Sequence, residues 1–346
     1  MKVAIIGAGT ISANHIKAYR EAGVEVVAIC DRRRESAEAR AAEFGIPMAC
    51  ADTEALFADP AIDAVSVATP VSTHKELVLS ALRAGKHVFC EKPPAMTADD
   101  VREMIAARDG AGKVLQFGFV TRFKERTQEV RRAVADGLLG KPLFCEAGRL
   151  ARLANPGGWF ADRRFTRGGA LFDAAIHEID CLLYILGYPR IVSVRAFLGY
   201  ENAGLSAQHG GSYRSATAGS TEFHNDVETS ATVFCVTEDG LPILLRATAA
   251  TGTVATGPYV RLTGSNGGVE IGKLGEGATL VSLSDAGFVE SETVAGGDSF
   301  TAQMRHFADC CGGRAVCDAN AEQALSLMML YDAIYRSGES GCEVRL

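Results

Sequence analysis

The chain has 346 residues, of which 47% are hydrophobic and 22% charged, and a net charge of −7 at pH 7. This is the balance of a globular protein, long enough for two domains, and with no extended Lys/Arg stripe it excludes nucleic acid as a partner. Ten cysteines show no zinc-knuckle or redox-motif spacing, so they read as free structural thiols in a reducing compartment, with no metal site.

The apolar start at 3–6 is too short for a signal peptide. No apolar stretch approaches the roughly 20 residues that span a bilayer, so a soluble, cytoplasmic protein with no membrane partner is expected. In the first third, apolar runs of strand length alternate with helical periods, the pattern of βαβ units around a parallel sheet. Strands are predicted over 3–6, 24–30, 64–68, 88–90 and 114–117, with a short edge strand at 47–51. Helices are predicted over 11–21, 35–44, 72–84 and 98–109.

From about 121 the pattern changes. A helix is predicted over 124–136, and a strand begins at 142–148. A helical stretch spans 171–186, and strand-like runs follow at 191–198, 229–236, 242–249, 259–263, 268–271 and 279–283. Their spacing argues a large, mainly antiparallel open sheet, covered on one face by the 171–186 helix. A last helix over 319–336 is expected to pack back toward the first domain. The fold class is therefore α/β, with a Rossmann doubly wound parallel sheet in 1–120 and an α+β substrate-binding and oligomerisation domain in 121–346. The Gly/Ser/Thr-rich segment 200–225, with His209, Tyr213, Arg214 and His224, is either a surface loop or a lid.

The first turn reads Gly7-Ala8-Gly9-Thr10-Ile11-Ser12, between a strand and a helix. Gly7 permits the tight turn, Gly9 lets the backbone approach a pyrophosphate, and the helix N-terminus at Thr10 and Ile11 faces the phosphates. Asp31, after the second strand, is placed to accept from a ribose diol, and it would repel a 2′-phosphate. NAD is thus the expected cofactor. Arg32 and Arg33 could pair with that phosphate instead, which keeps NADP open.

Two further segments lie at the carboxyl ends of strands, where parallel sheets bind ligands. In Thr69-Pro70-Val71-Ser72-Thr73-His74 the hydroxyls could simply cap a helix. In Glu91-Lys92-Pro93-Pro94 the lysine is held by prolines. Farther on, Asp173 and His177 are four apart, hence on one face of a helix, with Asp180 near the same side. A capping Asp and a core His would give the same spacing.

These residues resemble the Gfo/Idh/MocA family of dehydrogenases, over almost the whole chain. The resemblance rests on the 7–12 turn, on Thr69-Pro70 with His74, on Glu91-Lys92-Pro93, and on Gly168-Gly169 leading into Asp173, His177 and Asp180. Ser12 stands where the family usually has Gly or Ala, and Ala175 where Gly is frequent. The resemblance implies that Lys92 and His177 act at a substrate hydroxyl with Asp173 beside them. It makes Gly7, Gly9, Thr10, Ile11, Asp31, Arg32, Thr69, Pro70, His74, Glu91 and Lys92 the cofactor contacts.

The implied activity is NAD-dependent oxidation of a secondary or anomeric hydroxyl of a polyol, inositol, sugar or sugar acid. A homodimer or homotetramer through the second sheet is implied as well. Candidate substrate contacts are Arg122, Arg149 and Trp159, with Asp173 and His177. The arginines at 149, 152, 163, 164 and 167 would suit a carboxylated sugar, or would be surface residues of a loop. Two other functions use the same residues: a redox-neutral glycoside-cleaving enzyme that holds NAD, and a non-catalytic dinucleotide sensor.

Overall fold

A computed structural model of the chain describes residues 1–205, 223–272, 277–293 and 296–346. The contacts divide it into two units, Met1–Phe119 with Asp298–Met328, and Val120–Gly297 with Met329–Leu346. His209, Tyr213 and Arg214 lie outside the described residues.

The first unit holds the parallel sheet. Strands β1 (Lys2–Ile6), β2 (Glu25–Cys30), β3 (Met48–Cys50), β4 (Ala64–Val67), β5 (His87–Cys90) and β6 (Leu115–Phe117) pair in the order β3-β2-β1-β4-β5-β6. Every pairing is parallel. This is the doubly wound dinucleotide-binding order, with its switch point between β1 and β4. All four residues of β4 are buried, because a central parallel strand is covered on both faces.

Helices α1 (Thr10–Glu21), α2 (Arg34–Phe44), α3 (Glu54–Ala58), α4 (His74–Arg83) and α5 (Ala98–Ala111) supply the connections. Helix α5 opens on a capping box in which Thr97 and Asp100 bond each other's backbone amides. The helix expected over 72–84 begins instead as a 3-10 turn, Val71–Thr73, before α4. Helix α3 falls where no helix is expected.

The second unit is built on β7 (Pro142–Leu150), β8 (Ile191–Gly199), β9 (Ser230–Thr237), β10 (Pro242–Thr248), β11 (Gly257–Gly264), β12 (Gly267–Ile271), β13 (Ala278–Ser284), β14 (Gly287–Glu292) and β15 (Val344–Arg345). They form a nine-stranded sheet in the order β14-β13-β12-β11-β7-β10-β9-β8-β15. It is mainly antiparallel, with β7 and β10 parallel. Inward residues such as Cys145, Ala147, Val233, Cys235, Ile243 and Leu245 are buried, and they alternate with more exposed ones along each strand. Helix α6 (Glu125–Ala135) precedes β7.

The segment after Gly169 is not one α-helix. Ala170–Ala174 forms a π-helical turn, with Ala174 and Ala175 amides donating to the carbonyls of Gly169 and Ala170, and α7 (Ile176–Ile185) starts only afterwards. Asp173 and His177 therefore do not share the face of a regular helix, as their spacing alone would place them.

Helix α8 (Ser299–Cys311) belongs to the first unit and is capped by Asp298, whose side chain accepts from the Phe300 amide. Its Met304 and Phe307 join a core with Ile5, Ile16, Tyr19, Ile29 and Phe89. The Phe89 and Phe307 rings meet edge-on at 5.8 Å. Helix α9 (Ala321–Ser340) contributes its residues to Met328 to the first unit and the remainder to the second. No helix among the described residues is long and apolar enough to cross a membrane.

Candidate active site

In the first unit the glycine turn joins β1 to α1. Gly7 has φ +105° and its amide donates to the Cys30 carbonyl at 2.7 Å. A Cβ at Gly7 would stand 2.4 Å from the Ala68 carbonyl oxygen, so no other residue fits. Gly9 caps α1 and is exposed, and a Cβ there would meet nothing within 4 Å. That open approach to the helix N-terminus, with Thr10 and Ile11 following, suits a pyrophosphate. Ser12 is buried, and its hydroxyl donates to the Gly9 carbonyl at 2.6 Å. A small polar residue thus holds the turn closed where a third glycine is usual.

Asp31 ties this turn to the end of β2. Its carboxylate accepts from the Ala8 amide at 2.9 Å and from the Arg33 amide at 2.9 Å. The two bonds fix its orientation and leave lone pairs for a ribose diol. Arg32 and Arg33 are exposed. Arg40, a residue the sequence reading did not single out, reaches the Gly9 carbonyl at 3.2 Å.

The loops after β4 and β5 are linked by His74, which is fully buried. Its Nε2 lies 2.9 Å from the Thr69 carbonyl and its Nδ1 2.9 Å from the Pro93 carbonyl. Burial lowers its pKa, outweighing the two carbonyls and the nearby Glu91 charge. Thr69 and Pro70 are half-buried at the lip of this loop, and Thr69 Oγ1 pairs with Thr73 Oγ1 at 2.8 Å. Thr73 also donates to the Pro70 carbonyl.

Glu91 lies beneath Lys92. Its Oε1 is 2.8 Å from His15 Nε2, and its Oε2 accepts from the Lys92 amide at 3.0 Å. His15 Nδ1 in turn meets the Ser66 hydroxyl at 3.0 Å. Burial raises the Glu91 pKa, but His15 and Lys92 more than reverse this, and the carboxyl is held below its usual range. Glu91 is thus an internal anchor rather than a surface contact, while Lys92 itself is half-buried and follows a backbone fixed in place. The Lys92–Pro93 bond is cis.

In the second unit, Asp173 and His177 are each half-buried, on the π turn and at the start of α7. Glu228, fully buried, accepts from the amides of Gly169 at 2.9 Å, Leu171 at 3.0 Å and Phe172 at 3.3 Å. It therefore caps the turn that carries Asp173, and burial pushes its pKa up. Both glycines before the turn are needed for close approach. A Cβ at Gly168 would stand 1.8 Å from the Tyr335 hydroxyl, and one at Gly169 would stand 2.6 Å from the Glu228 carbonyl oxygen. The Tyr331 hydroxyl donates to the Leu171 carbonyl at 3.0 Å and fixes the turn from a second side.

The remaining predicted residues are engaged internally. Arg122 is fully buried, with two bonds to Asp180 at 2.6 and 2.9 Å and one to the Tyr188 hydroxyl at 2.8 Å. Arg149 makes two bonds to the buried carboxylate of Glu178, at 2.6 and 3.2 Å. Trp159 is half-buried and stacks on Phe160 with ring centroids 3.7 Å apart. Arg164 pairs with the buried Asp162, Arg167 with Asp332, and Arg163 with the Tyr200 hydroxyl. Arg152 donates to the Thr253 carbonyl. The arginine cluster is thus accounted for within the fold.

His15, Ser66 and Glu228 were not apparent as site residues in the sequence. Among the described residues, no group of three or more His, Cys, Asp and Glu side chains could hold a metal ion.

Residues 1–119 match the oxidoreductase family with an NAD-binding Rossmann fold, and residues 127–270 match the GFO/IDH/MocA C-terminal domain. The chain is 33% identical to D-glucoside 3-dehydrogenase of Escherichia coli (strain K12), over 100% of its own length and 97% of the relative's. It is 34% identical to myo-inositol 2-dehydrogenase of Thermotoga maritima, over 54% of this chain and 55% of that one.

Among solved structures, the aldose-aldose oxidoreductase of Caulobacter crescentus superposes with a TM-score of 0.84 at 25% identity, covering 100% of this chain and 99% of that one. A levoglucosan dehydrogenase in complex with NADH and levoglucosan shares the fold with a TM-score of 0.86 at 21% identity, over 100% and 99% of the two chains. The chain belongs to the Gfo/Idh/MocA family and is an NAD-dependent oxidoreductase.

Proposed function

We propose that this enzyme oxidises a secondary ring hydroxyl of a neutral sugar, glucoside or polyol. The observation that carries the reading is a shared construction. Lys92 and His177, the two reactive side chains, are each partly exposed, and a buried carboxylate fixes the backbone at or ahead of each: Glu91 accepts the Lys92 amide, and Glu228 caps the turn that carries Asp173 and leads into the helix of His177. In the proposed roles, His177 accepts the hydroxyl proton and Asp173 orients its ring. The Lys92 ammonium stabilises the oxygen as negative charge develops on it. NAD, when bound, accepts the hydride. Gly7, Gly9, Thr10 and Ile11 would hold its pyrophosphate, Asp31 and Arg32 its ribose, and Thr69, Pro70 and His74 would shape the loop toward its nicotinamide.

Two points support a neutral substrate. Arg149, Arg164 and Arg167 already pair with carboxylates of the fold, so three of the five arginines in the cluster are neutralised internally. The full-length relative is named for a glucoside, and others for inositols. We also place the protein in the cytoplasm, in keeping with ten free cysteines.

We assign self-association to the open face of the second sheet. There Phe197 is 61% and Phe234 45% exposed on paired strands, and sedimentation of Phe234→Glu would yield monomers if a second copy covers it.

The test is a panel of glucosides, inositols, aldoses and sugar acids with NAD, followed by NADH absorbance. Turnover of a neutral ring alcohol is expected, falling at least about a thousandfold in Lys92→Ala and His177→Ala, with NAD affinity retained in His177→Ala. Preference for sugar acids, or full turnover in either variant, would overturn the reading. Sugar release without NADH accumulation would point to the redox-neutral enzyme instead.

A further inference from the structure

We infer that His306, Cys310 and Cys317 form an oxidisable thiol site, in which Cys310 reacts with a hydroperoxide and Cys317 resolves the product into a disulfide. The site lies wholly in the first unit and uses none of the residues assigned to cofactor or substrate.

Helix α8 places His306 and Cys310 one turn apart on one face, with Cys310 Sγ 3.4 Å from His306 Nε2. The same Nε2 accepts the Asp318 amide at 3.0 Å, which draws the segment after α8 over the ring. Cys317 lies in that segment. It is next to the Asp318 amide that meets His306, and its sulfur sits 3.8 Å from Gln116 Oε1 and 3.9 Å from the Leu115 carbonyl. Cys310 is 7% exposed, and Cys317 is half-buried at the surface, which is enough access for a molecule the size of hydrogen peroxide.

The electrostatics separate this thiol from the others. Cys30, Cys90, Cys145, Cys181, Cys235 and Cys311 are all pushed up by burial. Cys310 goes the other way. The hydrogen bond with Cys317 and then the bond and charge of His306 draw it well below the ordinary thiol range, against burial and Asp309. His306 is correspondingly raised by Cys310, with Asp318 and Asp309 adding to the effect. Because Nε2 accepts the Asp318 amide, it is the Cys310 thiol that faces an acceptor, and the imidazole can take its proton to free the thiolate, the reactive form of cysteine, whereas the adjacent Cys311 stays protonated and inert.

The chemistry closes with a hydroperoxide as the oxidant. The Cys310 thiolate attacks one peroxide oxygen, the S–O bond forms as the O–O bond breaks, and the departing hydroxide takes the proton held by His306 and leaves as water. The Cys317 sulfur then attacks the sulfenic sulfur, and its thiol proton leaves with the hydroxyl as a second water. Both thiols are oxidised to one disulfide, and one peroxide is reduced to two waters. A dithiol reverses the step. The disulfide would pin the last turn of α8 to the segment whose Ala319 carbonyl accepts from Phe117 at the end of β6.

The full-length protein, in a Cys342→Ser background that removes an exposed thiol, is treated with hydrogen peroxide and mapped by peptide mass spectrometry. A linked pair of peptides containing Cys310 and Cys317, short of two hydrogens and restored by dithiothreitol, is expected. In Cys317→Ser, Cys310 should stop at the sulfenic acid and be trapped by dimedone. Alkylation of Cys310 by iodoacetamide should titrate well below free cysteine in the same buffer, and His306→Gln should move that inflection upward. The proposal fails if peroxide oxidises free cysteine but leaves Cys310 unlinked and untrapped. It fails equally if Cys310 alkylates only in the free-cysteine range.

Discussion

Gly7 and Ala68 pack so closely that a methyl group on the glycine would stand 2.4 Å from the alanine's carbonyl oxygen, while Gly9, two residues on, faces open space. The two glycines of the turn therefore serve different ends. Gly7→Ala would force a positive φ worth about 1–3 kcal/mol and a backbone clash between the ends of β1 and β4. It is expected to lower the melting temperature sharply or to prevent folding. Gly9→Ala sits at an ordinary extended φ of −70° and is expected to melt like the parent. Its loss should appear only in NAD titrations, as at least about a tenfold weaker affinity, roughly 1.4 kcal/mol. Equal stability losses in both variants would mean that Gly9 is structural too.

The buried pair of His15 and Glu91 predicts a second separation. Glu91→Gln keeps the side chain's shape but weakens the bonds to His15 and to the Lys92 amide, each about 1.5–3 kcal/mol when charged. The expected outcome is a kcat lowered by tenfold or more, because Lys92 loses its fixed backbone, with NAD affinity little changed. His15→Leu instead leaves the Glu91 carboxylate buried without its partner, and about 3–5 kcal/mol of stability should go in urea unfolding. A normal kcat for Glu91→Gln would show that Lys92 needs no such anchor.

Most of the fold was legible because burial writes itself into local sequence. The strands β1 and β4 are apolar runs since both of their faces are covered, and the Gly7–Gly9 turn with Asp31 is a local constellation. What escaped was short, exposed or non-local. Along β14 all residues but the first are exposed, so no periodic signal marks it, and β15 has only 2 residues. Helix α8 carries helical spacing in Met304, Phe307 and Cys310, diluted by the polar residues between them.

In the site, the residues of Glu-Lys-Pro and of the Asp173 segment were visible, but their supports were not. Glu228 caps a turn 59 residues before it, and nothing near it in the chain announces that role. His15 was closer to legible, as a polar residue on the buried stripe of Ser12, Ile16 and Tyr19. The π turn was invisible, because i, i+4 spacing is the same in sequence whichever helix forms.

Arg122 is expected to matter for stability rather than for substrate. Its guanidinium, Asp180 and Tyr188 form a closed set, with the Tyr188 hydroxyl also donating to Asp180 at 2.5 Å. Arg122→Ala strands a buried carboxylate and should cost about 3–5 kcal/mol in denaturant unfolding. The double variant Arg122→Leu, Asp180→Leu should lose less than Arg122→Ala alone, since no unpaired charge remains. Per folded molecule, KM for substrate should be unchanged in either case. A KM rise without loss of stability would restore Arg122 as a substrate contact.

His74 gives the protein an acid-side liability whose sign follows from its surroundings. The ring has two carbonyl neighbours, Thr69 and Pro93, and the Glu91 charge nearby, but burial dominates and holds the folded pKa below the unfolded value of about 6.5. Between those two values the unfolded chain binds more protons than the folded one, so stability rises with pH across that window and falls as the solution is acidified through it. One such group contributes at most about 1.4 kcal/mol per pH unit. His87, lowered chiefly by burial, adds to the same slope, whereas His306, raised chiefly by its bond to Cys310, opposes it. His74→Gln retains a donor for one of the two carbonyls and removes the titration. Its unfolding free energy, measured in urea from pH 7.5 down to pH 5, should therefore fall less steeply than the parent's. Parallel curves for the two proteins would mean that folding leaves the His74 pKa unshifted, and a parent less steep than the variant would mean that the ring is charged in the fold, donating to Thr69 and Pro93 at once.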